Sequence, residues 1–313
     1  MSGKTISLLE RAAEVYDFSA YLRARPAAEP QAPPSDVMAE ERTLAAIPAE
    51  FRASGDHDDF TPPPIDQAVA AIDPAMLAER GMIVPGAPIG PLAEEFRLVK
   101  RHLLGLARLI AERGAAERAR TALVCSARPG DGKTFCAINL ALSIAAERDT
   151  EALLVDADFA KPDVCRRLGL AEGGRGLLDA LDDAGLDPEE LVIETDVPGL
   201  AVLPAGTRTT ADTELLASAR TRTVIARLLA ANPKRVILFD SPPALAASPA
   251  SVLATVVGQV MLVVRADRTA DGELREAVGL LDGCEHIELL LNAVSFAPSG
   301  RRFGDYYEQE TLR

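Results

Sequence analysis

Eight consecutive residues could hold a phosphate: Ala127, Arg128, Pro129, Gly130, Asp131, Gly132, Lys133 and Thr134. Their spacing is that of a phosphate-binding loop, with Ala where the first Gly usually stands. Small residues let backbone N–H groups turn inward around phosphate oxygens, and the helix that follows adds the positive end of its dipole. In this pattern Lys133 reaches the outer phosphates of a nucleotide, and the Thr134 hydroxyl ligates Mg²⁺. Two further runs carry acids. Leu153-Leu154-Val155-Asp156-Ala157-Asp158 is an apolar run ending in two carboxylates, and Val236-Ile237-Leu238-Phe239-Asp240-Ser241-Pro242-Pro243 is another ending in one. Carboxylate oxygens at a strand end suit a hard cation such as Mg²⁺.

These residues need elements that bring them together. From residue 91 onward, short apolar runs alternate with helical stretches. The runs are Ala122–Cys125, Ala152–Val155, Leu200–Leu203, Val236–Phe239, Val260–Val264 and Ile287–Leu291. Runs this short and continuous suit strands of a parallel sheet covered on both faces. Helices are expected at about 91–113, 133–147, 213–231, 247–257 and 270–282. The alternation predicts an α/β fold: a P-loop NTPase-like, doubly wound, mostly parallel sheet flanked by helices. In such sheets ligands bind beyond the carboxyl ends of the strands, so Asp156, Asp158 and Asp240 are expected to converge on the loop and on Mg²⁺.

Composition divides the chain near residue 90. Of the 313 residues, the first 90 hold seven Lys/Arg against 14 Asp/Glu, and the remainder 26 against 33. The first segment also carries a Pro-dense stretch from Pro26 to Pro64, which favours an extended, partly disordered arm. Before it, Ile6, Leu9, Ala13 and Tyr16 recur at helical spacing, so a short amphipathic helix is expected near residues 5–22. Three units are therefore expected: an N-terminal helix with an acidic Pro-rich linker (1–90), a nucleotide-binding domain (91–295) and a flexible tail (296–313).

The net charge of −14 argues against broad binding to nucleic acid or anionic membrane, both of which need excess Lys/Arg. No run of about 18 apolar residues is present, and the N-terminus lacks a signal-peptide pattern. The four cysteines show no metal or disulfide spacing, so buried, reduced thiols in a cytoplasmic protein are expected. Only four tyrosines occur, and two of them, Tyr306 and Tyr307, stand side by side near the C-terminus.

Together these motifs resemble the bacterial protein-tyrosine kinases (BY-kinases). Ala127–Thr134 looks like that family's Walker A motif, LLVDADFAKP (Leu153–Pro162) like its second motif, and VILFDSPP (Val236–Pro243) like its Walker B. The stretches SLLERAAE (Ser7–Glu14), PLAEEFRLVKR (Pro91–Arg101), FCAINLALSIAAERDT (Phe135–Thr150) and TELLAS (Thr213–Ser218) are similar to autokinases of exosortase-linked exopolysaccharide loci.

The resemblance implies ATP and Mg²⁺ as cofactors and phosphoryl transfer to tyrosine. It implies an ATP site formed by Ala127 to Thr134 with Phe135, and an adenine contact from Asn292. Asp156 would ligate Mg²⁺ or act as base, Asp158 would assist it, and Asp240 would order the metal through water. Glu94, Arg97 and Lys100 match a segment that mediates ring-like self-association, with Lys100 in place of Arg. Lys161 also stands where Arg is common. The acceptors would be Tyr306 and Tyr307 of a neighbouring subunit. From Ala293 about 12 residues reach Tyr306, roughly 40 Å if extended. The family's tyrosine cluster is reduced here to this pair, with Phe303 nearby.

A separate membrane chain-length regulator of polysaccharide export is the expected partner, holding the protein at the inner face of the cell membrane. Two alternatives use the same loop. A partitioning or positioning ATPase of the ParA/MinD type would carry a signature Lys five residues before Lys133, where this chain has Arg128. A non-enzymatic, nucleotide-gated scaffold of the export machinery would keep the loop without transfer.

Overall fold

The computed structural model describes residues 69–294. The expected N-terminal helix, most of the Pro-rich arm and both tail tyrosines lie outside them. Seven strands form one sheet: β1 (Thr121–Ser126), β2 (Glu151–Asp156), β3 (Ile193–Glu194), β4 (Leu200–Leu203), β5 (Arg235–Asp240), β6 (Gln259–Arg265) and β7 (Ile287–Asn292). Their order is β3-β4-β2-β5-β1-β6-β7. Every pairing is parallel except β3 with β4.

Among the described residues ten α-helices accompany the strands. They are α1 (Pro74–Glu79), α2 (Pro91–Glu112), α3 (Ala116–Ala119), α4 (Lys133–Ala145), α5 (Val164–Leu168), α6 (Leu177–Asp182), α7 (Asp212–Ala217), α8 (Ala219–Ala231), α9 (Pro249–Ala254) and α10 (Asp271–Leu280). Two apolar clusters show why the sheet is covered on both faces. Ala122 and Val124 of β1 pack with α1, α2, α4 and α5, whereas Leu123 and Cys125 pack with α6, α8, α9 and α10. Alternate side chains of one strand thus feed opposite layers. β1 and β5 are buried at every position, the reason their sequences read as continuous apolar runs.

The helices carry matching patterns. α2 buries Phe96, Lys100, Leu103 and Ile110, one stripe at helical spacing. α4 is buried almost all round because it lies between the sheet and α2. The six expected strands are present, Leu200–Leu203 with the expected bounds and the other five extended by a residue or two, and the four cysteines are free and buried. No helix among the described residues is long and apolar enough to cross a membrane.

Three features differ from the sequence expectation. The helix expected over 213–231 is two helices, α7 and α8, divided at Ser218, whose backbone is extended. There the Ser218 hydroxyl donates to Leu215 O (2.6 Å) and the Thr221 hydroxyl to Leu216 O (2.6 Å). These short polar side chains satisfy carbonyls that a continuous helix would give to backbone N–H groups. Second, α5, α6 and the antiparallel β3 fill the stretch between β2 and β4; they are too short to show a period. Third, the packed unit begins before residue 91. Ala70 N donates to Glu194 O (2.8 Å), Asp196 N donates to Ala70 O (3.0 Å), and Ile72, Leu77 and Met82 are core residues.

Candidate active site

The order β2-β5-β1 explains how three distant sequence segments meet. Asp240, the last residue of β5, stands beside Asp156, the last of β2, and beside Val124 near the end of β1. The loop after β1 then wraps over the carboxyl ends of all three strands. It turns twice through left-handed glycines, Gly130 (φ 86°) and Gly132 (φ 99°), a conformation that other side chains adopt only with strain. Its shape is also braced from within. The Ser126 hydroxyl donates to Arg128 O (2.9 Å), and the buried Asp131 carboxylate accepts from Arg128 N (3.0 Å).

Lys133, the first residue of α4, points back over the strand ends. Its Nζ lies 2.7 Å from Asp158 Oδ2, 3.2 Å from the Thr134 hydroxyl and 3.8 Å from Asp240 Oδ1. Burial pulls the Lys133 pKa down, but Asp240 and Asp158 more than offset it and hold the ammonium above the ordinary lysine value.

The three acids sit in different environments. Asp156 is saturated: its carboxylate accepts from Asp158 N (3.2 Å), Asp163 N (2.9 Å) and Val164 N (3.0 Å), the last two at the start of α5. Burial still raises its pKa to about 6. Asp158 is held by Lys133 and accepts from Lys161 N (3.2 Å). Asp240 is 1% exposed, and neither of its oxygens makes a well-formed hydrogen bond, although the Thr134 hydroxyl lies close enough to draw its pKa down. Burial drives its pKa to about 7 against the pull of Lys133. A buried carboxylate without a hydrogen bond is costly, and the cost is removed by a cation.

These features have counterparts in known proteins. No protein-family profile matches the chain. EpsB of Ralstonia nicotianae is 33% identical over 180 residues, a match that takes 56% of this chain but only 23% of EpsB. This chain therefore spans about a quarter of the length of the first curated relatives it matches. The tyrosine-protein kinase YwqD of Bacillus subtilis is 28% identical over 208 residues, covering 66% of this chain and 82% of YwqD. The crystal structure of the VpsO kinase domain superposes with a TM-score of 0.51 at 30% identity, across 63% of this chain and 97% of that domain. The chain belongs to the bacterial tyrosine-protein kinase family.

In this kinase-family chain the donor set fits Mg²⁺ of a phosphate complex. Among the described residues no three His, Cys, Asp or Glu side chains gather into a protein-only metal site. Mg²⁺ held with nucleotide needs only one or two protein oxygens, the rest coming from phosphate and water. The open carboxylate of Asp240 and the hydroxyl of Thr134, both close to Lys133 Nζ, supply that number. Asp156, with three amides on its oxygens, is built into the turn that leads to α5.

Asn292 arrives from the end of β7 and braces the loop. Its Nδ2 donates to Asp131 O (2.8 Å), and its Oδ1 accepts from Ala293 N (2.8 Å). A Cβ at Gly132 would come within 2.1 Å of Asn292 Nδ2, so this glycine is also a close-approach residue. Phe135 lies on the first turn of α4, against the α2 side of the sheet.

Glu94 and Arg97 pair with each other on the partly exposed side of α2. Lys100 is buried instead: its Nζ donates to Ser143 O (2.9 Å) and pairs with Glu147 (2.6 Å) at the end of α4. The point charge expected to face a neighbouring subunit is thus directed into the domain's own helix.

Besides Arg128, already expected in the loop, two arginines that the sequence did not single out, Arg265 and Arg268, reach it. Arg128 pairs with Glu273 of α10 (2.9 Å), Arg265 Nη1 lies 3.4 Å from Gly130 O, and Arg268 approaches Gly130 as well. Arg265 ends β6, the same position on its strand that singled out Asp156 and Asp240. The strand-end rule would have found it had it been applied to every strand.

Proposed function

We propose that this chain is an ATP- and Mg²⁺-dependent protein-tyrosine kinase that phosphorylates Tyr306 and Tyr307 of a neighbouring copy. The observation that carries the reading is Lys133, held between Asp158 and the orphaned Asp240 at the head of the loop. Phosphoryl transfer asks for positioning and charge neutralisation, and the loop amides, Lys133, Thr134 and Asp240 are the groups suited to both. When bound, Mg²⁺ supplies charge neutralisation across the outer phosphates.

Entry of the outer phosphates draws the Lys133 ammonium away from Asp158. The freed Asp158 carboxylate then accepts the proton of the incoming tyrosine hydroxyl as the phenolic oxygen bonds to phosphorus and the bond to the ADP oxygen breaks. Asp156 fixes the β2–α5 turn that carries Asp158. Phosphate on the tail adds negative charge, which repels an acidic neighbour and loosens the assembly. The same reading gives the chain a separate membrane partner of the chain-length-regulator kind, a place at the inner face of the cell membrane and a role in exopolysaccharide polymerisation and export.

Mass spectrometry after incubation with Mg-ATP tests the activity. Phosphotyrosine is expected at residues 306 and 307 of the wild type and absent from Lys133→Met. No phosphotyrosine in the wild type, or an unchanged amount in the variant, would defeat the proposal. Mixing Lys133→Met chains with Tyr306→Phe/Tyr307→Phe chains should phosphorylate the tail of the former if transfer runs between subunits.

A further inference from the structure

The sheet ends on β7, and among the described residues nothing pairs with its outer edge. Such edges are usually blunted by Lys, Pro, a bulge or a covering element. β7 reads Ile287-Glu288-Leu289-Leu290-Leu291-Asn292, and its single charge is taken by His102 of α2 (2.6 Å). Leu289 and Leu291 are 53% and 62% exposed, and Val294 beyond them is 53% exposed. Leu289 and Leu291 share the sheet face on which Ile287 packs against the core. An unpaired edge flanked by exposed leucines is an incomplete surface.

The chain supplies an occupant of the right length in the right place. Nineteen residues, Ser295 to Arg313, follow directly from this strand. Ala293, with φ of 53°, already turns the chain at the strand end. Pro298-Ser299-Gly300 is a turn signal, and Arg301 to Tyr307 then offer a run with aromatic residues suited to a strand. At period two, Phe303, Asp305 and Tyr307 share one face, and Gly304 and Tyr306 take the other. A hairpin return that sets Phe303 beside Leu291 would bring Tyr307 beside Ile287, with Asp305 between them beside Leu289.

We propose that the outer edge of β7 is the docking site of this chain's own C-terminal segment, Arg301 to Tyr307, which adds to the sheet as an antiparallel strand. β7 runs toward the phosphate loop, since Asn292 touches Asp131. The returning strand therefore runs away from it, and six residues carry the tyrosine pair roughly 20 Å from its own nucleotide site. Docking stores the tyrosines on the sheet edge, and they must leave it to reach a neighbour. That last consequence rests on the kinase reading; the docking does not.

Hydrogen exchange on the full-length protein tests it. The backbone amides of Leu289 to Asn292 that face away from β6 should be protected in the wild type. They should exchange at least tenfold faster in Phe303→Asp, and in a chain stopped after Gly300, with β1 and β5 unchanged. Equal exchange in all three proteins overturns the proposal. Protection that rises with protein concentration, together with a dimer in sedimentation, also overturns it and assigns the edge to a second copy. Tail phosphorylation is read separately, and Phe303→Asp should raise its initial rate. Absence of phosphotyrosine in every variant, with the exchange difference intact, would sink the kinase reading and leave the docking standing.

Discussion

The two neighbouring strands β2 and β5 begin and end on charged residues, and their two ends behave in opposite ways. At the amino ends the paired residues are Glu151 and Arg235; at the carboxyl ends they are Asp156 and Asp240. The first pair has opposite signs and is closed. Arg235 is 2% exposed and pairs with Glu151 (2.5 Å) and, through both terminal nitrogens, with Glu189 (2.6 and 2.8 Å). It also donates to Leu228 O (3.1 Å), and Asn232 donates to Glu151 (2.5 Å). The second pair has like signs and is open, with one cation, Lys133, serving Asp158 and, at longer range, Asp240, whose two oxygens lack a well-formed hydrogen bond. A charge cluster that holds a fold satisfies itself, whereas one that awaits a ligand leaves valences free. Burial alone does not separate the two, because Arg235 and Asp240 are equally inaccessible.

The largest effect tests the closed end. Arg235→Met leaves Glu151 and Glu189 without their cation, and removing one partner of a buried pair costs about 3–5 kcal/mol. Urea unfolding should show this loss, while nucleotide affinity of the folded fraction stays at the wild-type value. If Arg235→Met weakens nucleotide binding instead, the amino end is not merely structural and the contrast fails.

Lys133→Met tests the open end. Losing the preorganised charge on the transferred group should lower phosphotransfer by about 10² to 10³-fold, the range for removal of one electrostatic stabiliser. Its effect on stability should be smaller than that of Arg235→Met, because the acids it leaves can take up protons. A stability loss larger than that of Arg235→Met, with phosphotransfer intact, would reverse the assignment of the two ends.

Asp240→Asn sharpens the contrast through pH. With its pKa near 7 in the folded protein and near 4 unfolded, Asp240 takes up a proton on folding between those values. The folded state then binds more protons than the unfolded one, so stability of the nucleotide-free protein falls as pH rises from about 4 to about 7 and levels above. Asp240→Asn removes most of that fall and should be more stable at pH 8 by roughly 2–4 kcal/mol. Denaturation curves from pH 4.5 to 8, in chelator, should diverge between the two proteins. Parallel curves would show that the Asp240 carboxylate is not strained. The same variant should lose the Mg²⁺ dependence of nucleotide binding.

Much of this was legible because parallel strands buried on both faces announce themselves as apolar runs, and their ends mark where ligands bind. The loop, Lys133 and the three acids followed from that rule together with the family's motifs. What differs among the acids did not. Asp156 and Asp158 are two residues apart in one run, yet one is capped by three amides and the other faces Lys133, a division set by where the chain turns into α5. Lys100 was misleading for a similar reason. Its spacing on α2 marks a charged position, while its direction depends on Ser143 and Glu147, more than 40 residues away in sequence. The Arg235 cluster was hidden because its partners come from three segments, none with a motif.

The smallest effect concerns how the open end keeps its shape. The phosphate loop is held by Asp131 from within and by Asn292 from β7, across a separation of 161 residues. Asn292→Ala removes the one hydrogen bond that ties this side chain to the loop, worth about 1 kcal/mol, and so should weaken nucleotide binding by roughly fivefold. Stability should scarcely change, since Asn292 is only partly buried. If Asn292 also contacts the base, the loss will be larger for ATP than for inorganic triphosphate; if it acts only as a brace, both will weaken alike. Titrating both ligands into the wild type and Asn292→Ala separates these outcomes. Unchanged affinity for both would mean that the loop holds its shape through Asp131 and its two left-handed glycines alone.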